Sequence, residues 1–584
     1  MRFFAVPVLA ICGLTLCPTT YGQSHMPQGF SQCSEPGLHV VAWCGTVTVP
    51  ENRQTREGRT IALTVAILPA VGSHSEPDPV FWIEGGPGDS AIDDVTFWQD
   101  SPLRSERDLV YVDVRGTGRS NPLNCHLFGR TTSGYQQFLG PDMFPKEGVR
   151  RCAETLERVA DLRFYTTSVM MDDLDDVRAA LGYDRINVVG LSGGTHSALV
   201  YLQGHSDHVR SIILNGVVAP HHISSAGFAR YAQDAFDGLA RECASDRACH
   251  DRFPDVQGDA KKVLAAADAG DAKADIPDPS TGKPVRLVLN QGVVAGTMRN
   301  LLYTPSDASD LPVLLHAAAQ GNYAPIAEVA LSRRLGDGAG FAVGVYFSVV
   351  CAEDSPWLNV AQEERAAEGT FLGPSRVRQE AEACSVWPAK PAPDDSNRKL
   401  SRNVPILMIS GQLDPVAPAS GADHVARDFP NSLRVVVPSG GHCAGDGLVG
   451  FDCIDRLQFD FINRGSVAGL DTACMKSIHR RAFSMKIQSS NFTGLDRGVA
   501  QQLIGTYVNS AGGKGAVVKL ENGALRIVFD DGETLRLLPL SNTTFRVWGL
   551  PTRLVSFQFS QGKEAGFTID RGGAREFTLV RVSN

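Results

Sequence analysis

Residues 186–202 read INVVGLSGGTHSALVYL. A short apolar run of strand character, INVV, enters the pentapeptide Gly190-Leu191-Ser192-Gly193-Gly194, and THSALVYLQ opens a helix directly after it. G-x-S-x-G between a strand and a helix is the pattern of a tight turn that lifts a serine clear of a sheet edge, the glycines permitting the bend. The bland alternative is a Gly/Ser turn without chemistry; the flanking strand and helix argue against it. A serine hydroxyl is a weak nucleophile until a base removes its proton. Ser192 therefore calls for an acid and then a histidine further along the chain. VPILMISGQLDPVAP (404–418) runs from a strand to Asp414, and LRVVVPSGGHC (433–443) runs from the next strand to His442. Both fall on loops after strands, where open α/β sheets build their sites. In VFWIEGGPGDSA (80–91) a glycine-rich loop follows an early strand, so the N–H groups of Gly86 and Gly193 are the expected oxyanion donors.

Outward from this stretch, IALTVAIL (61–68), VFWI (80–83), DLVYVD (108–113) and SIILNG (211–216) read as strands buried on both faces of a mostly parallel sheet. DDLDDVRAAL (172–181) has helical spacing. The fold class expected is α/β, an α/β-hydrolase fold with an inserted helical cap and a C-terminal all-β module. Helical patterns without strand alternation fill 221–400, from FARYAQDAFDGLARECA (228–244) to the Pro/charge-rich linker PAKPAPDDSNRK (388–399). The expected organisation is a signal peptide at 1–23, core at 24–220, cap at 221–400, core again at 401–484, and a β-barrel or sandwich at 485–584. In that last segment short strands are separated by Asn522-Gly523, Asp531-Gly532 and Gln561-Gly562.

The chain has 584 residues, 43% hydrophobic and 20% charged, with a net charge of −9. That composition is globular, and the acidic balance excludes a nucleic-acid partner that needs a basic face. RFFAVPVLAICGLTL (2–16) followed by small residues reads as a secretory signal cleaved near Gly22 to Ser24. It is shorter than the ~20 residues a membrane span needs, so no stable membrane anchor is expected. The expected location is secreted or periplasmic. Of 13 cysteines, two lie in the signal. In an oxidising compartment the rest are expected as disulfides, proximity suggesting Cys33–Cys44, Cys125–Cys152, Cys243–Cys249, Cys351–Cys384 and Cys453–Cys474, with Cys443 left over. No CxxC pair or His/Cys cluster suggests a metal, and no cofactor is implied. The oligomeric state is not legible.

GGPGDSA, DVRGTGRSNPL (113–123), GLSGGTHSALVYL, HVRSIILNGV, ISGQLDPVAP and SGGHC together resemble the tripeptidyl-aminopeptidase-like and proline-iminopeptidase-like branch of the α/β-hydrolases. The resemblance runs from about 40 to 475 and implies a serine exopeptidase acting on free peptide N-termini, with a helical cap over the site. Asp113 and Arg115 are expected as a structural ion pair shaping the oxyanion loop. Gly193 stands where the family usually has a bulky aromatic, and Glu84 where a histidine often precedes GGPG. An aminopeptidase must meet a substrate ammonium with a carboxylate. Family members carry an acid in a Cys-containing segment similar to FSVVCAEDSPW (347–357), so Glu353, with Asp354 second, is the expected amine anchor for short peptide substrates. A carboxylesterase with the same triad is the alternative, and a non-catalytic binding protein a further one.

Overall fold

The computed structural model describes residues 26–582 apart from 36, 73–74, 129–133, 141–142, 220–226, 279–280, 337–339, 393–402, 446, 510–514, 522, 531 and 561–562. The expected signal segment, most of the 388–399 linker, and Asn522, Asp531 and Gln561 of the expected turns lie outside the described residues. The strands of the first half are β1 (Ser31–Cys33), β2 (Ala42–Pro50), β3 (Thr60–Leu68), β4 (Val80–Ile83), β5 (Leu109–Val112), β6 (Ile186–Leu191) and β7 (Val209–Asn215). A hairpin, β8 (Lys273–Pro277) and β9 (Pro284–Val288), precedes β10 (Ile406–Gly411) and β11 (Ser432–Val437). A two-stranded ribbon, β12 (Leu448–Val449) and β13 (His479–Arg480), leads to eight further strands. These are β14 (Gly505–Asn509), β15 (Ala516–Glu521), β16 (Ala524–Phe529), β17 (Thr534–Pro539), β18 (Thr544–Val547), β19 (Leu550–Ser560), β20 (Lys563–Arg571) and β21 (Ala574–Arg581).

The main sheet has nine strands in the order β1-β2-β3-β5-β4-β6-β7-β10-β11. From β5 to β11 every pairing is parallel, while β1, β2 and β3 form an antiparallel flank, so IALTVAIL is a buried strand but an antiparallel one. Helices cover both faces, so alternate side chains of each central strand enter different cores. Phe81, Val110, Val188 and Ile212 meet Met170, Leu174 and Leu199 on one side. Trp82, Tyr111, Val189, Ile213 and Leu407 meet Ile454, Leu457 and Phe461 on the other. This places the ends of β4, β6, β10 and β11 at one rim, where the loops of the site emerge.

Between β7 and β10 the helices Phe228–Ser245, Val256–Asp268, Gln291–Leu301, Leu311–Ala319 and Ala324–Gly336 share their own apolar core. The hairpin β8-β9 within this segment departs from the purely helical reading. Its signal was the two-residue alternation that buries Ala274, Ile276 and Leu287, short and interrupted by prolines. Strands β14–β21 close into a barrel around Val518, Ile527, Phe545, Val555, Phe557 and Phe567. The barrel meets the cap through buried polar contacts: Arg546 Nη2 and the Gly549 N–H donate to Glu328 at 2.7 Å each, and Thr552 Oγ1 donates to Asp310 at 2.8 Å.

All five expected disulfides are present, with Cα–Cα separations of 5.1 to 5.9 Å. Among the described residues Cys443 is the free cysteine. The expected Asp113–Arg115 pair is not formed. Asp113 accepts from Ser90 Oγ and the N–H groups of Ile92 and Arg119, tying the oxyanion loop to its neighbours. Arg115, fully buried, reaches instead to Asp173 (2.6 and 2.8 Å) and to the carbonyls of Pro50, Glu51 and Phe164. Two residues apart in a turn, the side chains diverge, and no local pattern announces a partner 58 positions away. Breaking a buried pair leaves an uncompensated charge. Arg115→Ala is therefore expected to lower the unfolding free energy by about 3–5 kcal/mol, read by urea denaturation.

Candidate active site

Ser192 sits between β6 and the helix Gly193–His205 with φ 51° and ψ −123°, a conformation that costs a non-glycine residue of order 1–3 kcal/mol. The surrounding glycines show why the turn can exist. A Cβ on Gly190 would lie 2.5 Å from the Gly194 carbonyl oxygen, and one on Gly194 would lie 2.3 Å from that of Ile83. Thr195 secures the turn from the helix, its N–H and Oγ1 both donating to the Ser192 carbonyl.

The three residues expected to act together do meet. His442 Nε2 lies 2.8 Å from Ser192 Oγ, and Nδ1 lies 2.9 and 3.0 Å from the two oxygens of Asp414. Asp414 is buried and also accepts the N–H groups of Val416 and Ala417 at 2.8 Å, which fixes the carboxylate from the far side. The His442 N–H donates to the Tyr303 carbonyl at 2.7 Å, and the two rings meet edge to face at 5.2 Å. Burial alone would disfavour a proton on His442; the Asp414 carboxylate and neighbouring Cys443 outweigh it, holding the imidazole well above its ordinary value.

The backbones of Gly86 and Gly193 come together beside Ser192: a Cβ on Gly193 would be 3.3 Å from the Gly86 carbonyl. Gly85 leaves no room for a side chain, since its Cβ would stand 2.9 Å from that of Ser192. Glu84 braces this loop by accepting from the Gly85 N–H (2.9 Å) and Trp82 Nε1 (3.1 Å). Burial and a hydrogen bond with Asp94 raise Glu84 well above the usual carboxylate range.

Glu353 lies in a π-helical turn, Val350–Asp354, beside the Cys351–Cys384 disulfide. Its oxygens already accept from the N–H (2.7 Å) and Oγ1 (2.8 Å) of Thr167, at the start of the helix Thr167–Ala180. Glu353 Oε2 is 3.8 Å from Nε2 of His196, one turn on from Ser192. Burial opposes a proton on that imidazole, but Glu353 and Asp354 raise its value above the ordinary one. Glu353 is thus near the helix that follows Ser192, but with partners of its own. The carboxylate that sequence reasoning passed over is Asp89, in GGPGDSA. It is open to solvent in the cleft, and a Cβ on Gly86 would come within 3.3 Å of its Oδ2. Protein crowds it enough that burial, with Asp94 and Asp93, pushes its carboxyl up to about 6, His442 pulling the other way. No hydrogen bond or ion pair holds its carboxylate among the described residues.

Among the described residues one trio could approach a metal ion, Asp175, His205 and His208. Arg178 and Tyr201 already occupy the Asp175 oxygens, so a cation there would displace a guanidinium.

Residues 78–252 match the family described as alpha/beta hydrolase fold, and residues 370–474 the family described as TAP-like protein. The serine protease Hip1 of Mycobacterium tuberculosis is 26% identical over 427 residues, covering 67% of this chain and 80% of that protein. The tripeptidyl aminopeptidase of Streptomyces lividans is 27% identical over 473 residues, covering 74% and 83%. A solved thermophilic esterase from Thermogutta terrifontis aligns at 16% identity and a TM-score of 0.32, covering 72% of this chain and 99% of that chain. The chain is an enzyme of the serine hydrolase class built on the α/β-hydrolase fold. Within that superfamily its residues 370–474 resemble the TAP-like branch.

His442 is expected to titrate above the ordinary histidine range of about 6.5. Asp414→Asn removes the charge that favours the imidazolium, so its titration should move to lower pH, followed by imidazole proton NMR.

Proposed function

We propose that this chain is an exported aminopeptidase that releases residues or short peptides from free peptide N-termini. The observation that carries the reading is the continuous Asp414–His442–Ser192 hydrogen-bonded line on a strained turn. In this mechanism His442 Nε2 takes the Ser192 proton as Oγ attacks the scissile carbonyl, and Asp414 orients the ring and stabilises its cation. The N–H groups of Gly86 and Gly193 receive the oxyanion. His442 then passes the proton to the leaving nitrogen, and water hydrolyses the acyl-enzyme by the same steps in reverse roles. The five disulfides support export, and among the described residues no helix is long and apolar enough to cross a membrane.

The substrate ammonium needs a carboxylate within the cleft. Glu353 and Asp354 were the expected anchors; the prior engagement of Glu353 by Thr167 favours Asp89, which is free beside the oxyanion loop. That same engagement of Glu353 keeps a carboxylesterase as the second reading.

Ser192→Ala is expected to lower kcat by about 10⁴–10⁶ and abolish fluorophosphonate labelling. Fluorogenic mono-, di- and tripeptide amides, each with free and acetylated N-termini, should be assayed beside a p-nitrophenyl ester. Cleavage of the free but not the acetylated peptides supports the aminopeptidase; ester turnover with no peptide cleavage makes it an esterase. Asp89→Asn should cost about 10–100-fold in kcat/KM on free-amine peptides, the worth of one charge-assisted hydrogen bond, whereas Glu353→Gln should be milder. Because the Asp89 carboxylate is charged only above about 6, KM for free-amine peptides should rise below that pH while KM for the ester stays flat.

A further inference from the structure

The cap carries a guanidinium that lacks a carboxylate partner. Arg299, in the helix Gln291–Leu301, lies between two aromatic rings, its Cζ 5.0 Å from the centroid of Phe228 and 5.1 Å from that of Tyr303. Nη2 donates to the Tyr303 hydroxyl at 2.9 Å, and Nε is buried without an acceptor. Among the described residues no carboxylate pairs with it. Arg376, whose Cζ is 6.0 Å from the same Phe228 ring, is by contrast paired with Glu380 at 3.2 Å. A cation packed against two rings and left without a carboxylate partner favours an anion, and the planar guanidinium fork matches a carboxylate.

Tyr303 links this group to the reacting centre. Its carbonyl holds the His442 N–H and its ring stands against the imidazole. In the proposed mechanism His442 hands its proton to the leaving nitrogen, so its flank is the leaving side. One aromatic ring between guanidinium and imidazole sets a reach on the order of 10 Å, about three extended residues at ~3.4 Å each.

We infer that Arg299 binds the C-terminal carboxylate of the leaving fragment, so that the enzyme selects short peptides with a free acid end. The inference rests on the peptidase reading above. It adds that the leaving fragment is about two or three residues long, and that amidation of the peptide terminus removes a binding contact. An acidic side chain on the leaving fragment would offer the same chemistry from another source, and the test separates the two.

The test measures inhibition of p-nitrophenyl ester hydrolysis by tetra-alanine, by its C-terminal amide, and by the same amide with glutamate at the third position. The amide-to-acid ratio of inhibition constants should be about 10–100 in the wild type. It should fall to near 1 in Arg299→Gln and be partly retained in Arg299→Lys. Fluorophosphonate labelling of Ser192 in each variant checks that the site is folded. A wild-type ratio near 1, or a ratio that Arg299→Gln leaves unchanged, would overturn the inference. So would a glutamate amide that binds as tightly as the free acid, because it would make the side chain the ligand. Peptides that compete with the ester but are not cut would refute the peptidase reading alone, with the ratio still reporting on Arg299.

Discussion

The left-handed backbone of Ser192 is the constraint around which the molecule is arranged. A serine does not hold φ 51° without help. Here the help comes from three directions: β6 pinned in a parallel sheet, a helix that begins at the next residue, and the glycine loop after β4 lying against both. Each contact needs a missing side chain, at Gly190, Gly194 and Gly85. The oxyanion loop is in turn fixed from below by Asp113 and from within by Glu84. Ser192, the loop and the sheet core are therefore one packed unit, to which Asp113 is tied through Ser90 and Ile92.

The charged groups near the site divide by whether they have partners. Arg115, Asp173, Asp113 and Glu353 are engaged by several hydrogen bonds each, and they act as rivets between segments far apart in sequence. Asp89 and Arg299 are not so engaged. A charged group kept in a crowded place without a partner carries a desolvation cost that folding alone does not return. These two, one acidic beside the oxyanion loop and one basic beyond His442, give the cleft an electrical direction. A zwitterionic peptide laid across Ser192 would feel both ends.

Much of this was legible in the sequence. The apolar runs that became β4, β6, β7 and β10 are buried on both faces and stand out without any periodicity, whereas β11 at the sheet edge buries only Val435 and Val437. Ser192, Asp414 and His442 sit at the ends of such runs, in an order that the turn motif itself demands. The disulfides join neighbouring cysteines and needed no long-range knowledge. Partner choice across the fold was a different matter. Arg115 lies beside Asp113 in the chain and bonds Asp173 instead; Glu353 has the right chemistry for an anchor but is held by Thr167. Asp89 was hidden because an aspartate after Pro-Gly also suits a turn, and only the cleft around it distinguishes the two. Hairpin β8-β9 was hidden by its prolines and by the helices on either side.

The attachment of the barrel to the cap has a bearing on how the chain matures. The acids that receive it, Glu328 and Asp310, belong to the cap and are buried. Their partners Arg546, Gly549 and Thr552 are supplied by strands translated some 200 residues later. Until those strands exist, the cap holds carboxylates that must stay wet, and the helices bearing them have reason to remain open. The barrel thus acts as a late clasp on the cap, supplying the donors that offset the burial of Glu328 and Asp310.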